Sequence, residues 1–490
     1  MGRARLFAVV VLVVLSGCTL PGTPGQLDTD RELGYVGTYA HDDVFAFDGS
    51  DGLTEDELEA VTYRSMARIE VIRGTKFERD VEVDVVSRAQ YRERRSDSPN
   101  ASAFENELWR GTFLVDGETD PNRAFDELYG DAVAGYYTSD RVVLVTDDSD
   151  RVRVDRRTLV HELTHALQDQ RFGLGSEGET IDERRAENGL IEGEANYVPY
   201  LYDQRCGEQW QCVADLEREP DDADELEERP FNVGLFLSIF APYSEGPAFV
   251  AHLHETGGWE AVDRAHDERP TSTSQLIHPE RYPDDRPLDV DVPDRSSDDW
   301  TPSVSGGEPT ANANGEDDPR TETVGEATLY ATIWANDVVD RPLTEGGTEL
   351  SPYNYTSPAT TGWAGDSFRV YEDVDDPDRT GHVWKLAWET PDDADAFADA
   401  YRTLLENRGA DRLEETDDGA VYAVPDDEPF AGAYRVTTSD ALVEIVGAPT
   451  VDDLAELHAA ADDRALGSDD AVDAPTVGSS DAPTAGSAVG

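Results

Sequence analysis

Residues 156–170 read Arg-Arg-Thr-Leu-Val-His-Glu-Leu-Thr-His-Ala-Leu-Gln-Asp-Gln and contain the pattern H-E-x-x-H. Apolar residues recur at three- and four-residue spacing after Asp155, a suitable N-cap, so the stretch predicts a helix. His161 and His165 would then lie one turn apart on one face, where both imidazoles can reach a single metal ion. Glu162 would be placed to take a proton from a metal-activated water. A solvated helix with two incidental histidines is the competing interpretation.

A metal site of this kind needs a third protein ligand, and a second predicted helix, from Asp182 to about Tyr202, offers carboxylates. It contains Leu-Ile-Glu-Gly-Glu-Ala-Asn-Tyr at 190–197. Glu192 is the preferred ligand, and Glu194, which points to a different face of the helix, is the alternative. Both could also be ordinary surface acids in a very acidic chain. No H-x-x-G-x-x-H extension follows the first motif, so a third histidine ligand is not expected.

The ligand imidazoles need hydrogen-bond acceptors that fix their orientation, and two residues are candidates for that role. Asn196 follows Glu192 by one helical turn, and Asp169 follows His165 by one turn. Either side chain could accept a hydrogen bond from the ring N–H of a ligand histidine. The spacing alone leaves the choice between them open.

The chain of 490 residues carries 40 Lys+Arg against 106 Asp+Glu, which gives a net charge of −66. Only Lys76 and Lys385 are lysines, and the acidic residues are spread over the whole length. This composition is typical of a surface that stays hydrated in concentrated salt, where screening removes most of the self-repulsion, as in halophilic archaea. It argues against nucleic acid and anionic lipid headgroups as partners.

The N-terminus has the features of a targeting segment rather than of a folded element. Arg3 and Arg5 precede an apolar run at 6–15 that is too short for a transmembrane helix. The run ends Leu-Ser-Gly-Cys at 15–18, which resembles a lipoprotein box with Cys18 as the lipidated residue. An ordinary signal peptide and an uncleaved anchor are the alternatives. In each case the chain is expected outside the cytoplasmic membrane, and lipidation would hold it there.

With Cys18 assigned to the lipid, two cysteines remain. Cys206 and Cys212 are separated by a short loop that contains a glycine. An even pair of cysteines in an exported chain favours a local disulfide. A second metal site is the weaker interpretation, because no nearby histidine would complete it.

The sequence H-E-L-T-H-A-L-Q-D-Q, followed by L-I-E-G-E-A-N-Y, resembles the gluzincin arrangement of metallopeptidases, in which the Glu of E-G-x-A is the third ligand. The chain is similar in particular to a family of exported haloarchaeal and bacterial proteins. Further shared segments are Pro-Thr-Ser-Thr-Ser-Gln-Leu-Ile-His-Pro-Glu-Arg-Tyr at 270–282 and Gly-Trp-Ala-Gly-Asp at 362–366. The resemblance spans about 135–366 and implies a zinc-dependent peptidase fold with His161, His165 and Glu192 as ligands.

Gluzincins also stabilise the developing oxyanion with a Tyr or His from the helical half of the fold. The resemblance therefore makes Tyr243, His278 and Tyr282 candidates for that role. His278 is preferred because it lies in the shared segment at 270–282, and Tyr282 is kept as a second choice. For each of these residues a purely structural role is an equal alternative.

These features predict an α+β protein. A zincin-like metallopeptidase domain at 55–283, made of a short sheet, the H-E-x-x-H helix and a helical half, is followed by a small α+β sandwich-like domain at 362–462. The other segments are a signal peptide at 1–18, a flexible tether at 19–54, an acidic disordered insertion at 284–320, a helix packing on the peptidase domain at 321–361, and a disordered tail at 463–490. Breaks in the helical half are expected at Pro242, Gly246 and Gly257-Gly258.

The leading hypothesis is an extracellular, membrane-anchored zinc metalloendopeptidase that acts on a peptide or protein substrate. Zn²⁺ is expected on the three ligands with a fourth position for water, and Glu162 is expected to deprotonate that water. The alternative is a non-catalytic surface lipoprotein that keeps the zincin-like fold and acts in binding or cell-envelope assembly. Glu162 favours the enzyme, because a pure scaffold would not require this carboxylate.

Overall fold

A computed structural model of the chain describes residues 25–94, 98–129, 133–138, 141–146, 152–153, 155–213, 232–304, 319–415 and 419–460. The expected signal peptide with Cys18 and the expected tail at 463–490 lie outside the described residues. Within the described part, the first half of the chain forms a small sheet with helices packed on it. The second half forms a larger antiparallel sheet.

The first half contains the helix that carries the H-E-x-x-H motif. Its elements in chain order are β1 (Tyr35–Val36), β2 (Tyr39–Ala40), α1 (Glu55–Arg73), β3 (Glu82–Ser87), α2 (Arg88–Arg94), α3 (Ala103–Gly111), α4 (Pro121–Tyr129), β4 (Gly135–Thr138), β5 (Arg141–Thr146) and α5 (Arg156–Arg171). One sheet has the order β3-β5-β4, with β3 parallel and β4 antiparallel to β5. Within the described residues, β4 is therefore an edge strand of this sheet.

Local sequence explains where the two long helices of this half begin. Thr54 and Glu57 form a reciprocal capping box at the start of α1, and Asp155 accepts a hydrogen bond from the Arg157 N–H at the start of α5. Both caps give partners to amides that the first helical turn leaves unpaired. The apolar side of α5 then packs with α1 and the sheet in one core, which includes Met66, Val142, Leu144, Leu159 and Leu163.

The helical half is built from α6 (Ile181–Asp203), α7 (Val233–Asp267), α8 (Thr273–Ile277) and a 3₁₀ turn (Pro279–Arg281). Three glycines let the two long helices approach closely. A Cβ at Gly193 would lie 2.4 Å from the Gly246 carbonyl oxygen, and one at Gly246 would lie 2.2 Å from the Gly189 carbonyl oxygen. Because backbone atoms cannot move aside cheaply, these glycines set the distance between α6 and α7.

The expected breaks in α7 occur at only one of the three places. Gly258 has φ 65° and ψ −172°, which kinks the helix. Pro242 and Gly246 instead lie within helical turns, and Gly246 serves the contact with α6. Within the described residues α7 alone is long and apolar enough to cross a membrane, but 67% of its most apolar window is buried in the fold. Core helices of folded domains meet the same criteria of length and composition.

The second half forms an eight-stranded antiparallel sheet. Its elements are β6 (Trp300–Pro302), β7 (Thr321–Glu322), α9 (Gly325–Ala335), β8 (Trp363–Asp373), β9 (Thr380–Trp388), α10 (Pro391–Asn407), β10 (Asp411–Glu415), β11 (Gly419–Val424), β12 (Gly432–Ser439), β13 (Leu442–Ala448) and α11 (Asp453–Leu457). The strand order is β10-β11-β12-β13-β9-β8-β6, and β7 also pairs with β8. One face packs on α10 through the fully buried Trp384, Phe397 and Tyr401. The other face packs on α11.

The shared motif at 362–366 links the two halves. The buried Asp366 carboxylate accepts hydrogen bonds from the N–H groups of Val324 and Gly325 at the start of α9, and from the indoles of Trp363 and Trp384. α9 packs in a core with α7 that includes Leu235, Leu237, Ala327, Tyr330 and Ala331. Asp366 therefore fixes the helix that joins the larger sheet to the helical half.

Two segments that were expected to be flexible are packed, at least in their described parts. Residues 25–54 do not form a free tether, because Val36 is fully buried and Arg31 forms an ion pair with the buried Glu70 of α1. In the expected insertion, β6 pairs with β8 and buries Trp300. The prediction of flexibility, which was based on polar composition, is wrong for these parts. A few buried apolar residues and the pairing of a strand are enough to order a segment that is otherwise polar. Residues 305–318 of the insertion lie outside the described residues.

Candidate metal centre

The structure brings His161, His165 and Glu192 together between α5 and α6. The two histidines are separated by one turn of α5, and their Nε2 atoms lie 3.0 Å apart. The Glu192 Oε2 atom lies 3.3 Å from the His161 Nε2 and 3.5 Å from the His165 Nε2. Three potential ligand atoms, two nitrogens and one oxygen, thus face one point.

The spacing of these atoms fits a tetrahedral ion. Zinc–nitrogen and zinc–oxygen bonds of about 2.0–2.2 Å place tetrahedral ligand atoms roughly 3.3–3.6 Å apart. The two separations from Glu192 lie within that range, and the 3.0 Å between the two imidazole nitrogens lies just below it. Glu192 Oε2 is also buried without any hydrogen-bond donor. A buried carboxylate oxygen without a donor is costly unless a cation compensates it, so the donor set and its geometry both suit Zn²⁺.

Without an ion, the three side chains balance one another electrostatically. Burial disfavours the charged form of Glu192, but the neighbouring His165 and His161 outweigh burial and lower its pKa. Burial likewise disfavours the charged form of His165, yet the attraction of Glu192 prevails and raises its pKa to about 9. A proton on His165 and a metal ion at the same place therefore compete for Glu192.

Glu162 lies beside the ligands and is 6% exposed. Burial raises the pKa of its carboxyl above the usual value, although His161 and His165 act in the opposite direction. The backbone of Tyr137 in β4 donates a hydrogen bond to this carboxylate. β4 passes so close that a Cβ at Gly135 would lie 3.4 Å from the Glu162 Cγ and 3.0 Å from the Thr158 Cγ2. The edge strand and the candidate base are thus held against each other.

Gln168 orients His165, a role that neither of the sequence candidates has. Its Oε1 lies 2.8 Å from the His165 Nδ1. Its amide nitrogen donates to the Ile191 carbonyl at 2.9 Å and to Glu194 Oε2 at 3.1 Å. With its NH₂ group engaged in this way, the oxygen of Gln168 must accept the Nδ1 proton, so that in the neutral imidazole the lone pair lies on Nε2, where a metal can bind it.

The two residues expected to orient the histidines bond elsewhere. The Asn196 amide donates to the Glu192 backbone carbonyl at 2.8 Å, within its own helix. The Asp169 carboxylate accepts a hydrogen bond of 2.8 Å from the Tyr137 hydroxyl and so ties α5 to β4. Spacing along the helix was not sufficient, because these side chains have closer partners on the backbone and on the sheet. Gln168 carries a weak signal in the sequence, since it follows His165 by three residues.

Glu194, the alternative third ligand, belongs to a different buried network. Its carboxylate forms an ion pair with Arg73 of α1, lies 2.7 Å from the His266 Nε2 and accepts the Gln168 amide. The Arg73 guanidinium also pairs with Asp263 at 2.7 Å. Burial opposes the charged form of Glu194, but Arg73 and His266 outweigh it and lower the pKa of the carboxyl. Glu194 is therefore fully engaged as a structural carboxylate.

Of the three oxyanion candidates, the structure brings Tyr243 to the metal centre. Its hydroxyl donates a hydrogen bond of 3.1 Å to the Glu192 Oε1. The preferred candidate, His278, instead pairs through Nε2 with the buried Glu326 at 3.0 Å. The Tyr282 hydroxyl donates to the Glu268 backbone carbonyl, and its ring packs edge-on against Phe249. The glycine contact of α6 with α7, which the sequence could not reveal, is what carries Tyr243 to this position.

Cys206 and Cys212 are joined by a disulfide with an S–S distance of 2.01 Å and a Cα–Cα distance of 5.6 Å. The bridge closes the loop that follows α6, and both cysteines pack on the same core as α1 and α5. Neither thiolate is then available as a ligand. Among the described residues, His161, His165 and Glu192 are the one group of side chains whose ligand atoms converge on a possible metal position.

Comparison with known proteins bears on the second half of the chain. Residues 311–458 match a family described as a domain of unknown function (DUF8575). This match covers less than a third of the chain and takes in α9 and most of the eight-stranded sheet, but not the candidate metal centre. A search of curated proteins gave no match. A search of solved structures also gave none.

Proposed function

We propose that this protein is a zinc-dependent peptidase whose centre consists of His161, His165, Glu192 and Glu162. The observation that carries the proposal is the set of three converging ligand atoms, spaced as around a tetrahedral ion, with a buried Glu192 oxygen that lacks a donor. Glu162 adjoins these ligands in the helix position suited to a general base.

Each side chain then has a separate role. Zinc, when bound, acts as a Lewis acid toward a peptide carbonyl and brings the pKa of water near 7. The Glu162 carboxylate accepts the proton of the attacking water and afterwards delivers it to the leaving amine. Burial raises the pKa of the Glu162 carboxyl above its usual value, which makes the carboxylate a stronger base. The Tyr243 hydroxyl donates to Glu192 in this structure; turned away from Glu192, it would supply a hydrogen-bond donor for the developing oxyanion.

The edge strand β4 supports a peptide as the substrate. Its Tyr137 backbone contacts Glu162, and β4 pairs on one side only with β5 among the described residues. An extended peptide that pairs with the outer edge of β4 would add one strand to the sheet. Its backbone would pass in front of Glu162 and the ligands, which is where the scissile bond must lie.

The proposal extends to the location of the enzyme. The Leu-Ser-Gly-Cys sequence at 15–18 supports lipidation of Cys18 and export, and a bridge between Cys206 and Cys212 suits an oxidising compartment. The net charge of −66 supports activity in concentrated salt. We therefore place the enzyme on the outer face of the cell membrane, with a peptide or protein as substrate and no nucleic-acid partner.

The test is zinc content and peptide hydrolysis in molar salt, for wild type, Glu162→Gln and the control Glu255→Gln. Glu255 is an exposed residue of α7, so its variant controls for the loss of one negative charge. We expect one zinc per chain in all three proteins and a loss of at least about 100-fold in kcat for Glu162→Gln alone, as for removal of a general base. Zinc-free wild type, or equal rates in all three, would overturn the proposal. Zinc binding without any hydrolysis would favour the non-catalytic alternative.

A further inference from the structure

A cavity of about 410 Å³ lies beside the candidate metal centre. It is lined on α6 by Asn188 and Ile191, and on α7 by Ile239 and Pro242. Ile191 directly precedes the ligand Glu192, and Ile239 lies one turn before Tyr243. The cavity therefore lies in the groove between the two helices, about one helical turn before Glu192 on α6 and before Tyr243 on α7.

The wall opposite the groove is apolar and aromatic. Trp109 of α3 and Phe125 of α4 line it, with their rings edge-to-face and the ring centroids 5.3 Å apart. Leu174, in the loop after α5, and Ile181, at the start of α6, complete this wall. Aromatic rings interact favourably edge-to-face, so this wall offers a suitable surface to an aromatic or other apolar side chain.

The charged groups around the cavity are engaged with partners of the chain itself. Arg185 donates to the Thr328 hydroxyl and lies over the Trp109 ring, and Arg184 donates to the Glu179 carbonyl. Glu187 accepts hydrogen bonds from Ser176 at 2.6 Å and from the Glu177 N–H at 3.0 Å. A ligand would thus meet mainly apolar surface, and burying a charged group there would be costly.

We infer that this cavity is a specificity subsite that binds a large apolar side chain, preferably aromatic, of a residue flanking the scissile bond. The inference rests on the proposed peptidase function and adds the class of substrate to it. Its position suits this role, because it opens about one helical turn from Glu192 and Tyr243, within reach of a residue next to the scissile bond. Ile239 and Leu174 are then specificity-determining residues.

The experiment uses zinc-loaded full-length protein in molar salt and peptides that differ at one position beside the cleaved bond, where Phe, Leu, Ala, Asp or Lys is placed. We expect kcat/KM for Phe to exceed that for Ala by about 10-fold or more, as for a filled apolar pocket, and Asp and Lys to be poorest. In Ile239→Trp, which fills the cavity, the ratio of kcat/KM for the Phe peptide to that for the Ala peptide should fall to about threefold or less. Glu260→Trp, at an exposed position of α7, should keep the wild-type ratio.

Leu174→Trp, in a loop rather than a helix, repeats the test if Ile239→Trp does not fold. Binding of the same peptides to zinc-loaded Glu162→Gln, which should not turn them over, gives a readout independent of activity. Cleavage with no preference, or a preference for Asp that Ile239→Trp leaves intact, would overturn the subsite and leave the peptidase standing. No cleavage by wild type together with equal binding of all peptides would overturn both. No cleavage with Phe-selective binding would overturn only the peptidase.

Discussion

Two faces of helix α6 each carry a buried carboxylate, and the two carboxylates have different kinds of partners. On one face, Glu194 meets a guanidinium, an imidazole and an amide, so its charge is balanced by the fold. On the other face, Glu192 meets two imidazoles and one hydroxyl, and one of its oxygens has no donor. The first arrangement is complete without a ligand, whereas the second offers an oxygen without a donor and two imidazoles to a cation. Burial alone therefore does not distinguish a structural carboxylate from a metal ligand, but the partners do.

The largest expected effect is a difference in unfolding free energy between variants of the two carboxylates. Glu194→Gln leaves the Arg73 guanidinium, which cannot lose its proton, with the part-exposed Asp263 as its remaining anionic partner, and should cost about 3 kcal/mol of unfolding free energy. Glu192→Gln in the metal-free protein should cost less than about 1 kcal/mol, because His165 can release its proton and leave no buried charge. Chemical denaturation of both variants without metal checks this. Equal losses would mean that the two carboxylates do not differ in kind.

The second prediction concerns a substitution that disrupts the contact between α6 and α7, which brings Tyr243 to Glu192. Gly193→Ala would place a Cβ 2.4 Å from the Gly246 carbonyl oxygen, so we expect a loss of about 1 to 3 kcal/mol in stability. Zinc affinity should fall as well, since Glu192 moves with α6. The control is Gly175→Ala, where a Cβ meets no atom within 4 Å. Wild-type stability and zinc affinity in Gly193→Ala would contradict this account of the glycines.

Gln168 connects the two faces, since it contacts both His165 and Glu194. Gln168→Ala removes the acceptor of the His165 Nδ1 proton and should weaken zinc binding by about 10- to 100-fold. The matched control is Gln170→Ala on the same helix, whose side chain bonds to the backbone at Glu78 and Arg79. Competition with a chelator measures both affinities on folded protein. If the two variants bind zinc equally, Gln168 has no positioning role.

A third buried carboxylate on α6 gives the smallest effect. Burial raises the pKa of Asp182 to about 7 despite its hydrogen bonds from Thr273, so the folded state takes up a proton more readily than the unfolded state. This contribution to stability is full below about pH 4 and is lost as pH rises through about 7.

Asp182→Asn removes that dependence. Relative to wild type it should gain about 1 to 2 kcal/mol in unfolding free energy between pH 5.5 and pH 7. Thermal unfolding at both pH values gives the difference, in which the other titrating groups cancel. A difference that stays constant or shrinks as pH rises would show that Asp182 is compensated in some other way. In that case Asp182 would not differ from Glu192 and Glu194 as a carboxylate that folding keeps protonated.

Local sequence signals predicted the elements that carry the ligands. Asp155 and the apolar spacing predicted α5, and the E-G-x-A pattern singled out Glu192, which the structure brings to the two imidazoles. What could not be predicted depends on contacts between elements far apart in the sequence. Tyr243 reaches Glu192 only because α6 and α7 meet at glycines. The role of Gln168 likewise depends on the Ile191 carbonyl of the neighbouring helix.

The same holds for the fold: elements set by local sequence could be predicted, and packing between distant segments could not. The long helices α1 and α10 follow from local sequence, since they begin after the capping residues Thr54 and Thr390. The packing of residues 25–54 and of β6 was missed, because a polar composition hides isolated anchors such as Val36 and Trp300. His278 was favoured from a shared motif, but its imidazole contacts the buried Glu326 carboxylate instead of the metal centre.

The most direct measurement is anomalous diffraction at the zinc absorption edge from crystals grown with zinc in high salt. The account predicts one strong peak within about 2.0–2.2 Å of the His161 and His165 Nε2 atoms and of a Glu192 oxygen. The Glu162 carboxylate should face the remaining coordination position. A peak on Glu194, or no peak between α5 and α6, would contradict the account.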